Sequence, residues 1–99
     1  VPEGRIGVMP DFDRTKEVLE DFSIDSLFMV GTLMRPGGSL YALIKDPDGG
    51  LHRVAAGNYM GRNFGEVTGV NGIKVDVIEI VSDGQDGWIE RPRTIVITE

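Results

Sequence analysis

With 99 residues and 40% hydrophobic content, the chain has room for one modest core, and no apolar run approaches the roughly 18 residues of a membrane span. Sixteen acidic residues against ten basic ones give a net charge of −6, which argues against a nucleic-acid binder relying on clustered Lys and Arg. The chain has no cysteine, which excludes a disulfide framework and a thiol nucleophile.

Residues 1–14 read as the end of a flexible linker: Val1-Pro2-Glu3-Gly4-Arg5-Ile6-Gly7 has no sustained period and Pro10 breaks any regular element after it. Acidity concentrates at the next boundary. Residues 11–25 hold six acids (Asp11, Asp13, Glu17, Glu20, Asp21, Asp25) and two bases (Arg14, Lys16), a local balance of −4. Residues 15–22 fit a short helix, with Val18, Leu19 and Phe22 on one side and Asp13 as its cap, or an irregular extended path.

From residue 27 the signals are those of strands. Leu27–Leu33 and Leu40–Asp46 are short apolar runs separated by the turn cluster Arg35-Pro36-Gly37-Gly38-Ser39. Asp46-Pro47-Asp48-Gly49 predicts a hairpin returning as Leu51–Val54, since proline presets the second turn position and glycine accepts left-handed backbone. A glycine-spaced loop, Gly57–Gly65, leads to Glu66–Val70 and Ile73–Ser82, which flank the hairpin signal Asn71-Gly72. Ile73, Val75 and Val77 share one face while Ile78 and Ile80 share the other, so a bulge or two-sided burial is expected there. After the turn Asp83–Gly87 comes a last strand, Trp88–Thr98, in which Pro92 requires an edge or a local irregularity.

Six or seven short strands without a long helix predict an all-β fold, a small β-sandwich over residues 15–99 with one short N-terminal helix or turn. The expected core draws on Leu27, Met29, Val30, Leu33, Ala42, Leu43, Ile44, Val54 and Val67 from the first strands. Val75, Val77, Ile78, Ile80, Trp88, Ile95 and Ile97 complete it.

No catalytic constellation stands out. His52 is the one histidine and reads as a solvent-facing strand residue beside a turn; Ser23, Ser26, Ser39 and Ser82 sit in no nucleophile elbow. The acidic turns Asp46–Gly49 and Asp83–Gly87 lack the alternating ligands and closing glutamate of a calcium loop. The 14 glycines form no phosphate-binding loop. The residues therefore describe a small β-domain that acts by binding, with no metal or cofactor expected.

Three ordered blocks carry a resemblance. Pro10-Asp11, Leu19-Glu20 and Ile24–Leu33 form the first; Tyr41–Ile44, His52-Arg53-Val54 and Gly57–Asn63 the second; Val77–Val81, Gly84 and Trp88–Thr94 the third. Over about residues 10–98 the chain resembles the β-domain of the PilP family of type IV pilus assembly proteins, and distantly the homology-region domain of type II secretion inner-membrane proteins. One departure is Asn58, where the family commonly has aspartate; the turn is expected to survive because Asn tolerates left-handed backbone.

The resemblance implies a non-enzymatic periplasmic adaptor, anchored to the Gram-negative inner membrane as a lipoprotein through a cysteine upstream of these residues. Its upstream segment would engage the PilN/PilO pair, and its β-domain the periplasmic N-terminal domain of the secretin PilQ. The alternative is a small ligand- or ion-binding periplasmic sensor using the acidic turns or a pocket between sheets. For the secretin, Leu27–Leu33 offers a strand free of proline and charge, with Leu27, Phe28, Val30 and Thr32 as contact candidates and Phe28 and Thr32 expected to face outward. Upstream acids Glu20, Asp21 and Asp25 would steer a basic partner. Arg91 and Arg93 form a second candidate corner on the defended last strand.

Overall fold

A computed structural model of the chain describes residues 9–98. Two of its turns share one construction. Asp46 and Asp83 each donate a backbone N–H to the carbonyl four residues on, Gly50 at 2.9 Å and Gly87 at 3.0 Å. Each also folds its Oδ1 back over the turn, accepting from Asp48 and Gly50 (both 2.9 Å) or from Gln85 (2.7 Å) and Gly87 (3.0 Å). A Cβ on Gly50 or Gly87 would lie 2.7 or 2.5 Å from that carboxylate, so glycine is the residue the close approach admits. Both carboxylates thereby serve the turn itself.

These turns and four other connections link seven strands among the described residues: β1 Phe28–Met34, β2 Leu40–Lys45, β3 Leu51–Val54, β4 Tyr59–Met60, β5 Gly65–Val70, β6 Lys74–Ser82 and β7 Trp88–Val96. They form two antiparallel sheets, β1-β2-β3 and β4-β5-β6-β7, each a simple meander. The all-β sandwich expected from the strand rhythm is the fold. Sequence reading missed β4, because two residues between glycines carry no periodicity.

The core between the sheets includes Met29, Ala42, Ile44, Val54, Met60, Val67, Val75 and Val77, with Leu19, Ile24 and Leu27 from the N-terminal side. Two register facts correct the expected list. β6 pairs with β7 without a shift from Lys74↔Val96 to Ser82↔Trp88, so the phase change expected in β6 does not occur. Burial simply alternates through Val75, Val77 and Glu79, and a glutamate takes the inward place that an isoleucine was expected to fill. Ile78, Ile80 and Trp88 consequently lie on the outer face, half-buried. In β1 the pairing with β2 slips between Met29 and Gly31, which leaves Val30 and Leu33 exposed where the sequence suggested core. Leu43, paired across from Gly31, is half-buried on that same outward side.

The expected helix over residues 15–22 is instead a 3-10 turn at Val18–Asp21, followed by another at Ile24–Ser26. Asp13 does not cap it; its N–H bonds Asp11 Oδ1. The turn is organised by Glu20, whose carboxylate accepts from the Glu17 N–H at 2.6 Å and from both terminal nitrogens of Arg14 at 3.0 and 2.6 Å. Leu19 O accepts from Gly61 N at 3.0 Å, tying the turn to β4. Of the linker expected over residues 1–14, residues 1–8 lie outside the described residues. Residues 9–14 lean on the second sheet: Pro10 is buried, Phe12 meets the rings of Phe64 and Trp88 edge-on at 5.5 and 5.8 Å, and Arg14 stacks on Tyr59 at 3.4 Å.

Candidate docking surface

β1 is an edge strand. Its outer edge is closed at one point, where Thr98 donates to Met29 O at 2.8 Å and joins the two sheets. Of the four candidates on or beside it, Leu27 is buried in the core and presents no side chain to a partner. Phe28 is 50% exposed and pairs with Lys45 on the outward face; Val30, at the bulge, is 39% exposed. Thr32 was expected outward beside Phe28, but the extra residue at the bulge turns it to the side of its partner Ala42, which is fully buried.

β7 is the edge of the other sheet. Asp83 N to Gly87 O at one end and Ile97 N to Ile73 O at the other bracket an unbroken register, so odd-numbered residues of β7 carry the ladder bonds. Pro92 therefore sits where its missing N–H faces away from β6 and costs no pairing.

Arg91 and Arg93 point inward from this strand. Glu79, with no exposed surface, accepts from Arg91 Nε and NH2 at 3.1 and 2.8 Å, from Arg93 NH1 at 3.4 Å and from Asn63 Nδ2 at 3.3 Å. Arg93 NH2 also reaches Asp25 Oδ1 at 2.5 Å. The second candidate corner is thus a partly exposed ionic knot, in which Arg91 and Arg93 converge on buried Glu79. Two of the three acids expected to steer a partner are engaged within the fold, Glu20 by Arg14 and Asp25 by Arg93.

Asn58 works through its side chain. It is not among the left-handed non-glycine residues; Gly57 takes that conformation at φ +98°. Asn58 Oδ1 accepts from Ala55 N at 2.8 Å and Nδ2 donates to Glu17 Oε1 at 3.1 Å, pinning the β3–β4 crossing to the N-terminal turn.

Among the described residues no three His, Asp or Glu side chains gather as a metal site. His52 Nε2 lies 2.6 Å from Asp46 Oδ2, and this contact with the N–H groups of Gly50 and Asp48 holds the Asp46 carboxyl below its usual range. Burial raises the Glu20 carboxyl, but the Arg14 guanidinium and the Glu17 N–H outweigh it and hold the group low. Burial pushes the Tyr59 phenol up, helped by Glu66. An open groove of about 540 Å³ between residues 16–19 and β3 is lined by Lys16, Glu17, His52, Arg53 and Tyr59.

The sequence model of the family described as "Pilus assembly protein, PilP" matches residues 2–97. This chain belongs to the PilP pilus-assembly family. It is 47% identical over 97 residues to the type IV pilus inner membrane component PilP of Pseudomonas aeruginosa, covering 98% of this chain and 55% of that one. The chain thus spans about half the length of that curated relative. Among solved structures, a domain of the type IV pilus biogenesis lipoprotein PilP from Pseudomonas aeruginosa superposes with a TM-score of 0.81 at 49% identity, covering 90% of this chain and all of that one. A solution structure of PilP from Pseudomonas aeruginosa gives 0.80 at 46%, covering 100% of this chain and 88% of that one. The PilP pilot-protein domain of Neisseria meningitidis gives 0.71 at 28%, covering 92% and 79%. The PilP fold persists to that distance, as expected when hairpin turns and inward alternation carry it.

Proposed function

We propose that this PilP domain is a non-enzymatic adaptor of the type IV pilus assembly machine, linking the inner-membrane PilN/PilO subcomplex to the outer-membrane secretin PilQ. It acts in the periplasm, on a protein held at the inner membrane by an upstream lipid anchor. The observation that carries this reading is the family match over residues 2–97, reinforced by a relative named as an inner membrane component and another as a biogenesis lipoprotein. A rigid sandwich on a tether suits such a role, since the tether raises the local concentration of the domain near its partner.

The docking region is the edge strand β1, with Phe28 and Val30 offering apolar contact. Titration calorimetry of this domain with the purified periplasmic N-terminal domain of the secretin tests the reading. Binding by the parent domain, and its loss in a folded Phe28→Lys variant, is the expected result. A parent domain that shows no heat and no co-elution with that fragment overturns the adaptor role.

A further inference from the structure

The outward face of the three-stranded sheet gathers apolar residues. Residues paired across antiparallel strands share a face. Phe28↔Lys45↔Leu51 is therefore one outward row, Leu43↔Arg53 the next and Leu33↔Tyr41 the third. Of ten exposed large hydrophobics among the described residues, four lie here: Phe28 at 50% exposure, Val30 at 39%, Leu33 at 46% and Leu51 at 62%. Half-buried Leu43 sits between them. Solitary exposed leucines need no explanation, but a contiguous group on one flat face marks an interaction surface.

The charge on this face is opposite to that of the molecule. Lys45 and Arg53 belong to its rows, and Arg35 joins Arg53 around the Tyr41 ring at 4.9 and 5.2 Å. No carboxylate occupies any of these rows, in a chain whose net charge is −6. Flat strand pairing along β1 is meanwhile disfavoured, because the bulge at Val30 kinks the edge and Thr98 already occupies Met29 O.

We infer that the sheet's outward face, rather than the β1 edge alone, is the docking surface, and that it receives a protein surface with an apolar centre and an acidic rim. This rests on the adaptor reading and deepens it by assigning the partner's chemistry. A second copy of the chain fits poorly, since a twofold would set Lys45 and Arg53 against the same cations. An acidic membrane is disfavoured by the charge of −6 on the chain as a whole. The cations act mainly on encounter rate and orientation, and the leucines on residence.

The test uses the whole chain and the secretin's purified periplasmic domain, with binding rates measured at low and high salt. Leu33→Glu/Leu51→Glu is expected to weaken binding about tenfold or more, chiefly through faster dissociation. Lys45→Glu/Arg53→Glu is expected to slow association about fivefold and to remove most of its salt dependence. Should the leucine variant fold poorly, methyl NMR of the parent domain decides: shifts at Leu33, Leu43 and Leu51 on titration support the face, and shifts confined to the β1 backbone overturn it. Binding by the parent that neither variant alters sinks the outward face and leaves the adaptor role standing; no binding by the parent removes both. A parallel titration with phosphatidylglycerol vesicles that depends on these residues, while secretin binding does not, assigns the face to lipid and overturns the inference.

Discussion

Glu79 and Asn58 show how single polar groups direct this small core. A buried carboxylate usually gains less from its partners than its desolvation costs, so ion pairs of this kind secure geometry more than stability. The Glu79 partners keep substantial access to water, Arg91 at 43% and Arg93 at 33% side-chain exposure. Glu79→Leu is therefore expected to stay within about 1 kcal/mol of the parent, because both arginines can rehydrate. Arg91→Ala, which strips two of the four hydrogen bonds from a buried carboxylate, is expected to cost about 2–3 kcal/mol. Urea denaturation of both variants checks this ordering, and the reverse order would falsify it. Asn58 has a different logic. Its Oδ1 is committed to Ala55 N, which leaves Nδ2 to meet the Glu17 carboxylate. Asn58→Asp sets two carboxylates face to face and is expected to lose about 1–2 kcal/mol at neutral pH, with much of that regained near pH 4 or on adding Glu17→Gln.

At the scale of elements, the N-terminal segment and β7 meet through aromatic edges. Phe12, Phe64 and Trp88 form a T-shaped trio with centroids 5.5 to 6.2 Å apart. Trp88 was expected in the core on size alone. The uninterrupted pairing of β6 and β7 instead places it with Ser82 on the outer face, where Phe12 and Phe64 cover part of it. Trp88→Ala is then expected to cost about 1–2 kcal/mol, below the roughly 3–5 kcal/mol of a fully buried tryptophan. Phe12→Ala is expected to shift the emission of this single tryptophan to the red, and a double-mutant cycle between the two to give a coupling of about 0.5–1.5 kcal/mol. Unchanged fluorescence in the Phe12 variant would detach the segment from the sheet.

The molecule as a whole is set to weaken in acid. Glu20 and Asp46 both have folded-state pKa values held below the ordinary carboxylate range. A depressed carboxylate contributes its full stability above the unfolded pKa of about 4 and loses it as pH falls through the lower folded value. Melting temperature is expected to be flat from about pH 8 to 5 and to fall below about pH 4. Glu20→Gln removes the charge that Arg14 and the Glu17 N–H stabilise, so it is expected to cost about 2 kcal/mol at neutral pH and to flatten the acid limb. A variant that melts like the parent at pH 7 would show that the Arg14–Glu20 contact contributes nothing.

The fold class, six of the seven strands and the turn residues were legible in the chain itself, because Asp-Gly turns and short apolar runs are local signals set by backbone chemistry. Met29, Ala42, Ile44, Val54, Val67, Val75 and Val77 could be assigned inward for the same reason. What only the tertiary structure decided depends on partners distant in sequence. A one-residue slip at Val30 sends Leu33 out and Thr32 in, and an isoleucine pair yields the inward place in β6 to Glu79 because two arginines and an asparagine are waiting for it. Periodicity cannot locate a bulge or report that a charge has found its counter-charges. The outward apolar face arises from that same slip, since it appears only when three strands are laid in register.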